Sequence, residues 1–138
     1  MVDTNIVLDL LVFSDPASLP LRQALQSGAL SWLATPAMRD ELQRVLDYPH
    51  IAPRLVFYQL APQQVLAAFD QWVRLVAVAP RAAFICKDAD DQKFIDLAVA
   101  HQALLLSKDQ AVLRLAKRLL GAGVRAQPTL TVTVTPAA

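Results

Sequence analysis

The chain has 138 residues, of which 55% are hydrophobic and only three are glycine, so we expect one folded domain with a single core. No apolar run reaches the roughly 18 residues that a membrane span needs, and no basic segment followed by an apolar run indicates a signal peptide. The lone Cys86 excludes an intramolecular disulfide and fits a reducing cytoplasm, while the formal net charge of +1 neither indicates nor excludes a nucleic-acid partner.

Short strands and helices alternate along the chain, each predicted from the period of its apolar residues and from the residues at its ends. The first half is predicted to contain a strand ending at 1–3, helices over 5–13 and 18–28, a buried strand over 30–35, and a helix over 36–49. The second half is predicted to contain a helix over 61–75, a strand over 76–80, a helix over 91–102, a strand over 103–107, a helix over 109–120, and a strand over about 129–135.

This alternation predicts an α/β fold in which a mostly parallel central sheet lies between two layers of helices. We expect one domain over residues 1–138, with its core in about 1–120. Ligands of such sheets bind beyond the carboxyl ends of the strands. Asp3 and Asp109 follow predicted strands, Asp91 opens the helix that leads into the strand before Asp109, and Glu41 lies in the second turn of a helix that follows a strand. These four carboxylates are therefore predicted to gather at one edge of the sheet.

Four short motifs carry a family resemblance over roughly residues 1–120. They are "VDTN" at 2–5, "EL" at 41–42, "DADDQKFIDLA" at 88–98 and "LLLSKD" at 104–109. Each motif is weak by itself, but their order and their positions at strand and helix ends are specific together. The chain resembles the PIN domain family, and within it the VapC-like toxins of toxin–antitoxin pairs.

The resemblance implies four acidic metal ligands, which are Asp3, Glu41, Asp91 and Asp109. Asp91 is preferred over its neighbours because the family pattern places the third acid about 18 residues before the fourth, and Ser107 then stands where the family usually has Thr. The resemblance also implies supporting roles for Thr4, Asn5, Ser107, Asp88 and Asp90. The lysines that flank the acids are candidates for binding RNA phosphates, and they are Lys87, Lys93 and Lys108.

The implied chemistry is metal-dependent hydrolysis of RNA. Mg²⁺ and Mn²⁺ prefer hard oxygen ligands, and such ions activate water and stabilise the leaving oxygen of a phosphodiester. Carboxylates this crowded raise one another's pKa unless a cation enters. The resemblance further implies an antitoxin protein as a partner and a homodimer, and the alternative within the family is a PIN domain that binds RNA or protein without catalysis.

Simpler interpretations compete with metal binding at several positions. Aspartate at a helix start contributes about 0.3–1 kcal/mol as a cap or dipole partner, and this is the preferred interpretation of Asp88 and Asp90. Asp3 and Asp91 have the same alternative, although their motif contexts favour a functional role. Glu41 could be an ordinary acid on a solvated helix face, and the adjacent Asp40 is an alternative candidate for the site acid.

Other protein classes fit the motifs less well. A phosphoacceptor signalling domain requires adjacent acids after its first strand, and a DxDxT phosphatase requires a second Asp two residues after the first; "MVDTN" has neither. Family members usually have four or five apolar residues ahead of the first acid, whereas only Met1 and Val2 precede Asp3 here. Two explanations remain open, a chain start upstream of residue 1 or a clipped central strand.

Overall fold

A computed structural model describes residues 2–130, and over this range helices alternate with short parallel strands. The α-helices are α1 (Thr4–Leu11), α2 (Leu19–Gln26), α3 (Pro36–Leu46), α4 (Ala52–Phe57), α5 (Pro62–Trp72), α6 (Gln92–His101), α7 (Gln110–Leu113) and α8 (Ala116–Leu120). Single 3-10 turns lie at Pro16–Ser18 and Ala89–Asp91. The strands are β1 (Trp32–Ala34), β2 (Val73–Leu75), β3 (Leu105–Leu106) and β4 (Ala126–Gln127).

The strands form two parallel pairs. β1 pairs with β2, and β3 pairs with β4. Val2 forms a further parallel bridge with Leu106, so the chain immediately before Asp3 lies beside β3. The predicted α/β fold with parallel strands is confirmed. Within residues 2–130, no hydrogen-bonded ladder joins the two pairs into one continuous sheet.

Three helix boundaries follow from local sequence. Asp3 caps the start of α1, where its carboxylate accepts a hydrogen bond from the Asn5 N–H, and Thr35 caps the start of α3, where its hydroxyl accepts one from the Met38 N–H. After α2 the chain turns at Gly28, whose φ of 77° is a left-handed conformation that favours glycine.

The predicted limits of the fifth helix and the following strand are wrong. The helix ends at Trp72 instead of Leu75, and the strand occupies Val73–Leu75 instead of 76–80. The reason is pairing with β1, since the ladder with Trp32–Ala34 holds this segment extended from Val73 onward. Helical apolar spacing continues through these residues in the sequence, so the spacing alone does not reveal where the helix ends.

The C-terminal region differs from prediction in two ways. The single helix predicted over 109–120 is two short helices, α7 and α8, which meet at Leu115, where the Leu115 N–H donates to the Val112 carbonyl three residues back. The strand predicted over about 129–135 lies mostly outside the described residues; Thr129 and Leu130 are not in a strand, and the observed strand β4 precedes them.

One helix, α4, was not predicted at all. It is six residues long, and it buries Leu55 but exposes Val56 and Phe57 at 77% and 80%. Such a segment lacks a continuous apolar face, which is the signal that sequence patterns provide.

The core packs α6 and α3 around the strands. Phe94, Ile95 and Leu97 of α6 are buried, as are Leu105 of β3, which α6 contacts, and Leu42 of α3. This packing fixes the first turn of α6, where the acidic segment ends, against the strand that leads to Asp109. Within residues 2–130 no helix has the length and apolar character needed to cross a membrane.

Candidate metal centre

Asp3 is a buried carboxylate at the end of the Val2 bridge. Its N–H donates to the Leu106 carbonyl at 2.9 Å, which fixes its backbone beside β3. Its Oδ2 accepts a 2.6 Å hydrogen bond from the Ser107 hydroxyl, and its Oδ1 accepts one from the Asn5 N–H at 3.2 Å. Burial raises the pKa of Asp3 above its ordinary value, and the negative charges of Asp109 and Glu41 raise it further, against the lowering effect of these two hydrogen bonds.

Asp91 is the most perturbed acid of the site. It ends the 3-10 turn Ala89–Asp91 and is 7% exposed. No hydrogen-bond donor within residues 2–130 reaches its Oδ2. Burial is the largest cause that raises the pKa of Asp91 to about 8, followed by a hydrogen bond to the Asp109 carboxylate and by the charges of Asp3, Asp109 and Asp88. A buried oxygen without a donor is a candidate ligand atom for a cation.

Asp109 and Asp88 complete a group of three carboxylates with Asp91. One oxygen from each lies within 4.8 Å of the others. Asp109 caps α7 by accepting from the Ala111 N–H at 2.8 Å. The hydrogen bond from Asp91 and this cap lower the pKa of Asp109. Asp88 caps its 3-10 turn through its Oδ1, which accepts from the backbone N–H of the second residue after it at 3.0 Å. Capping and cluster membership therefore coexist at Asp88.

Glu41 lies near the site but outside this group of three. Its Oε2 accepts a 2.5 Å hydrogen bond from the Thr4 hydroxyl, and its Oε1 lies 3.0 Å from the Lys93 Nζ. Its negative charge contributes to the raised pKa of Asp3, which indicates that the two carboxylates are neighbours. Both oxygens of Glu41 are thus engaged by groups of the protein.

The remaining candidate residues differ in their contacts with the acidic group. Ser107 is fully buried and connects two acids, because its hydroxyl donates to Asp3 and accepts from the Asp109 N–H at 3.1 Å. Lys108 forms an ion pair with Asp9 of α1. Lys87 and Asp90 are adjacent to Asp88 and Asp91 in the sequence, and their side chains are exposed to solvent.

Gln92 is a residue whose role the sequence interpretation missed. Its Nε2 donates to the Phe84 carbonyl at 2.9 Å and to Asp96 Oδ1 at 2.8 Å, and its Oε1 accepts from the Cys86 N–H at 2.7 Å. Asp96 also accepts from the Ala82 N–H at 2.8 Å. These bonds attach the irregular segment that leads into the acidic cluster to the first two turns of α6. The i, i+4 spacing of Gln92 and Asp96 is the sequence signal that could have indicated the pair.

The donor set fits a hard divalent cation. All three clustered ligand atoms are carboxylate oxygens, the type that Mg²⁺ and Mn²⁺ prefer. The orphaned Oδ2 and the raised pKa of Asp91 are what crowded carboxylates show when no cation balances them. A cation held between Asp88, Asp91 and Asp109 would satisfy that oxygen and favour the ionised form of Asp91.

Comparison with known proteins identifies the family. No curated protein and no solved structure shows a significant match to the chain. Residues 1–111 match the family model described as PIN domain, which covers well over half of the chain and all of the acidic residues described above. PIN domains are in general metal-dependent nucleases that bind divalent ions through acidic side chains, and the carboxylate cluster fits that activity. The chain belongs to the PIN domain family.

Proposed function

We propose that the protein is a metal-dependent endoribonuclease that hydrolyses RNA phosphodiester bonds with Mg²⁺ or Mn²⁺. The observation that carries this proposal is Asp91, a buried carboxyl group with a pKa of about 8 and an oxygen that no donor reaches, within 4.8 Å of two other carboxylates. Asp91 makes no capping hydrogen bond to α6, so a cap role does not explain its buried carboxyl group, whereas a bound cation would offset its crowding with other carboxylates.

The residues of this chain have separate tasks in the proposed reaction. Asp88, Asp91 and Asp109 hold the ion, and Ser107 keeps Asp3 beside them. A bound divalent ion supplies Lewis-acid stabilisation of phosphate oxygens and lowers the pKa of water. Asp3, whose two oxygens are oriented by Ser107 and by a backbone N–H, adds negative charge that favours cation entry. No side chain needs to form a covalent bond to the substrate.

The ligand set predicted from the sequence was Asp3, Glu41, Asp91 and Asp109, and it remains a proposal. Mutual charge effects among these acids support a shared site. The 4.8 Å group supports Asp88 as an additional ligand, whereas the hydrogen bonds of Glu41 to Thr4 and Lys93 support an indirect role for Glu41.

The test is cleavage of a mixed RNA substrate with Mn²⁺ or Mg²⁺, with EDTA as the metal-free arm. We expect Asp91→Asn to lower the cleavage rate at least about 100-fold, because the variant loses a ligand charge within the cluster. The matched control is Asp40→Asn, which removes an exposed aspartate of α3 that lies outside the group of three. Cleavage that persists in EDTA, or equal rates in wild type and Asp91→Asn, would contradict the proposal and favour a PIN domain that only binds.

We further propose that the nuclease is the toxin of a toxin–antitoxin pair, that a second protein neutralises it, and that it forms a homodimer. Resemblance of the four acidic motifs to the VapC-like members supports this role. Induced expression in a bacterial host should arrest growth for wild type and not for Asp91→Asn. Growth arrest by wild type and by Asp91→Asn alike would show that toxicity does not depend on catalysis, and it would contradict the toxin proposal.

A further inference from the structure

Lys93 places a positive charge among the acidic residues of the candidate site. It lies in the first turn of α6, two residues after Asp91, and its side chain is 27% exposed. Its Nζ lies 3.0 Å from Glu41 Oε1, donates to the Asp90 carbonyl, and lies 5.0 Å from the centre of the Phe94 ring. These contacts hold the ammonium group in one position, unlike the exposed lysines of the surface.

The contacts of Lys93 distinguish Glu41 from the group of three carboxylates. On one side, Glu41 has both oxygens engaged, one by Lys93 and one by the Thr4 hydroxyl. On the other side, Asp91 has an oxygen that no donor of residues 2–130 reaches. Within residues 2–130, a lysine of the protein therefore pairs with Glu41, whereas no salt bridge involves Asp88, Asp91 or Asp109.

Two cations at hydrogen-bond distance from the same carboxylate repel each other strongly in a partly buried site, where the effective dielectric constant is well below that of water. The Lys93 ammonium and a divalent ion are therefore alternatives at Glu41, whose side chain is only 15% exposed. Unlike a divalent ion, a lysine of the chain requires no free metal to occupy this position.

We propose that Lys93 takes the place of a second divalent ion, so that the centre binds one ion, on the side of Asp88, Asp91 and Asp109. This inference rests on the proposed metal-dependent function. Glu41 is then a partner of Lys93 rather than a direct ligand, which departs from the role predicted from the sequence. The active centre would combine one divalent ion and one fixed ammonium group.

The test counts Mn²⁺ ions per chain by calorimetry and by electron paramagnetic resonance of the free ion. Wild type is expected to bind one ion, and Lys93→Met two, with the second ion bound more weakly. Lys93→Arg keeps the charge and is expected to bind one. The matched control is Lys117→Met, which removes an exposed lysine of α8 outside the group of acidic residues and is expected to bind one ion.

A double variant connects the second ion to Glu41. Lys93→Met with Glu41→Gln is expected to bind one ion again, because the carboxylate that would hold the second ion is gone. If Lys93→Met fails to fold, Lys93→Gln provides the same neutral change with a polar side chain and is expected to bind two ions.

Two results would overturn this inference while leaving the proposed function in place. These are two ions bound by wild type, or one ion bound by Lys93→Met and by Lys93→Gln with unchanged affinity. Failure of the wild type to bind any Mn²⁺ would instead overturn the metal centre itself, and the inference with it.

Discussion

Asp91 is a carboxyl group that the fold holds mainly in its protonated form. Its pKa is about 8 in the folded protein, against an ordinary value of 3.8. Between these two pH values the folded chain binds more protons at this position than the unfolded chain does. The free energy of unfolding therefore falls as the pH rises from about 4 to about 8, and the contribution levels off above pH 8. Asp109 acts in a different window, because its lowered pKa stabilises the fold above about pH 4 and is lost in more acidic solution.

This difference in proton binding predicts a pH-dependent stability that Asp91→Asn removes. In metal-free buffer we expect wild type to lose on the order of 2 kcal/mol between pH 5 and pH 8, and the variant to lose much less, because its amide does not ionise. Urea denaturation at the two pH values measures both quantities. Asp40→Asn is the control and should follow wild type, since this aspartate is exposed. Equal pH dependence in wild type and Asp91→Asn would show that Asp91 is ionised throughout this range.

At the scale of elements, three consecutive residues at the start of α6 each contact a different part of the candidate site. Gln92 binds the irregular segment before the cluster through the Phe84 carbonyl and the Cys86 N–H. One residue earlier Asp91 joins the carboxylate group, and one residue later Lys93 reaches Glu41. Because α6 packs into the core through Phe94, these three consecutive side chains share one rigid base.

Gln92→Ala should therefore affect both stability and metal affinity. The substitution leaves the Cys86 N–H without its acceptor, which costs about 1–3 kcal/mol for a buried polar group. The loosened segment leads into Asp88, so we expect Mn²⁺ affinity to fall by roughly 10-fold as well. Thermal unfolding and calorimetry measure the two effects.

The control for Gln92→Ala is Gln110→Ala, an exposed position at the start of α7 that should leave both quantities close to wild type. A loss of stability with unchanged Mn²⁺ affinity would show that Asp88 keeps its position without the Gln92 contacts, or does not bind the ion.

Sequence patterns predict the kinds of elements here better than their ends. Apolar spacing identified the helix that contains Phe94 and the buried strand that contains Trp32, because both elements bury one continuous face. The ends depend on partners distant in the chain. Val73 leaves the helix because it pairs with Trp32, and no local pattern contains that information.

The same distinction applies to the candidate site. Asp3 and Asp109 could be grouped from the sequence, because the carboxyl ends of parallel strands lie at one edge of a sheet. Asp3 follows Val2, which bridges to Leu106, and Asp109 follows β3, the strand that contains Leu106. The contact between Lys93 and Glu41 could not be predicted, because it joins residues 52 positions apart on two helices whose relative placement depends on the whole core. For Asp88 the sequence favours a cap and allows a supporting role at the site, and the position of Asp88 beside Asp91 and Asp109 supports both roles.

At the scale of the whole molecule, an apolar cleft separates the two strand pairs. The cleft measures about 190 Å³ and is lined by Trp32 of β1, by Leu106 of β3 with its bridge partner Val2, and by Leu21 and Leu25 of α2. The Val76 N–H donates to the Ala34 carbonyl, so alternate residues of β1 face β2. The backbone groups of Leu33, between them, consequently face away from β2. The apolar lining of the cleft fits one additional strand that continues the Val2 bridge in the N-terminal direction.

We therefore predict that four β-branched residues added ahead of residue 1, in the order Val-Ile-Val-Val, stabilise the fold. Filling the cleft buries apolar surface, and pairing with Leu33 satisfies its amide, so the free energy of unfolding should rise by roughly 2 kcal/mol. Urea denaturation measures the gain, and hydrogen exchange should show new protection of the Leu33 amide. The matched control carries Gly-Ser-Gly-Ser at the same place, which has the length of a strand without its apolar side chains. Equal stability of the two extended chains would show that the cleft does not accept a strand, and that the two pairs are held together by the helices alone.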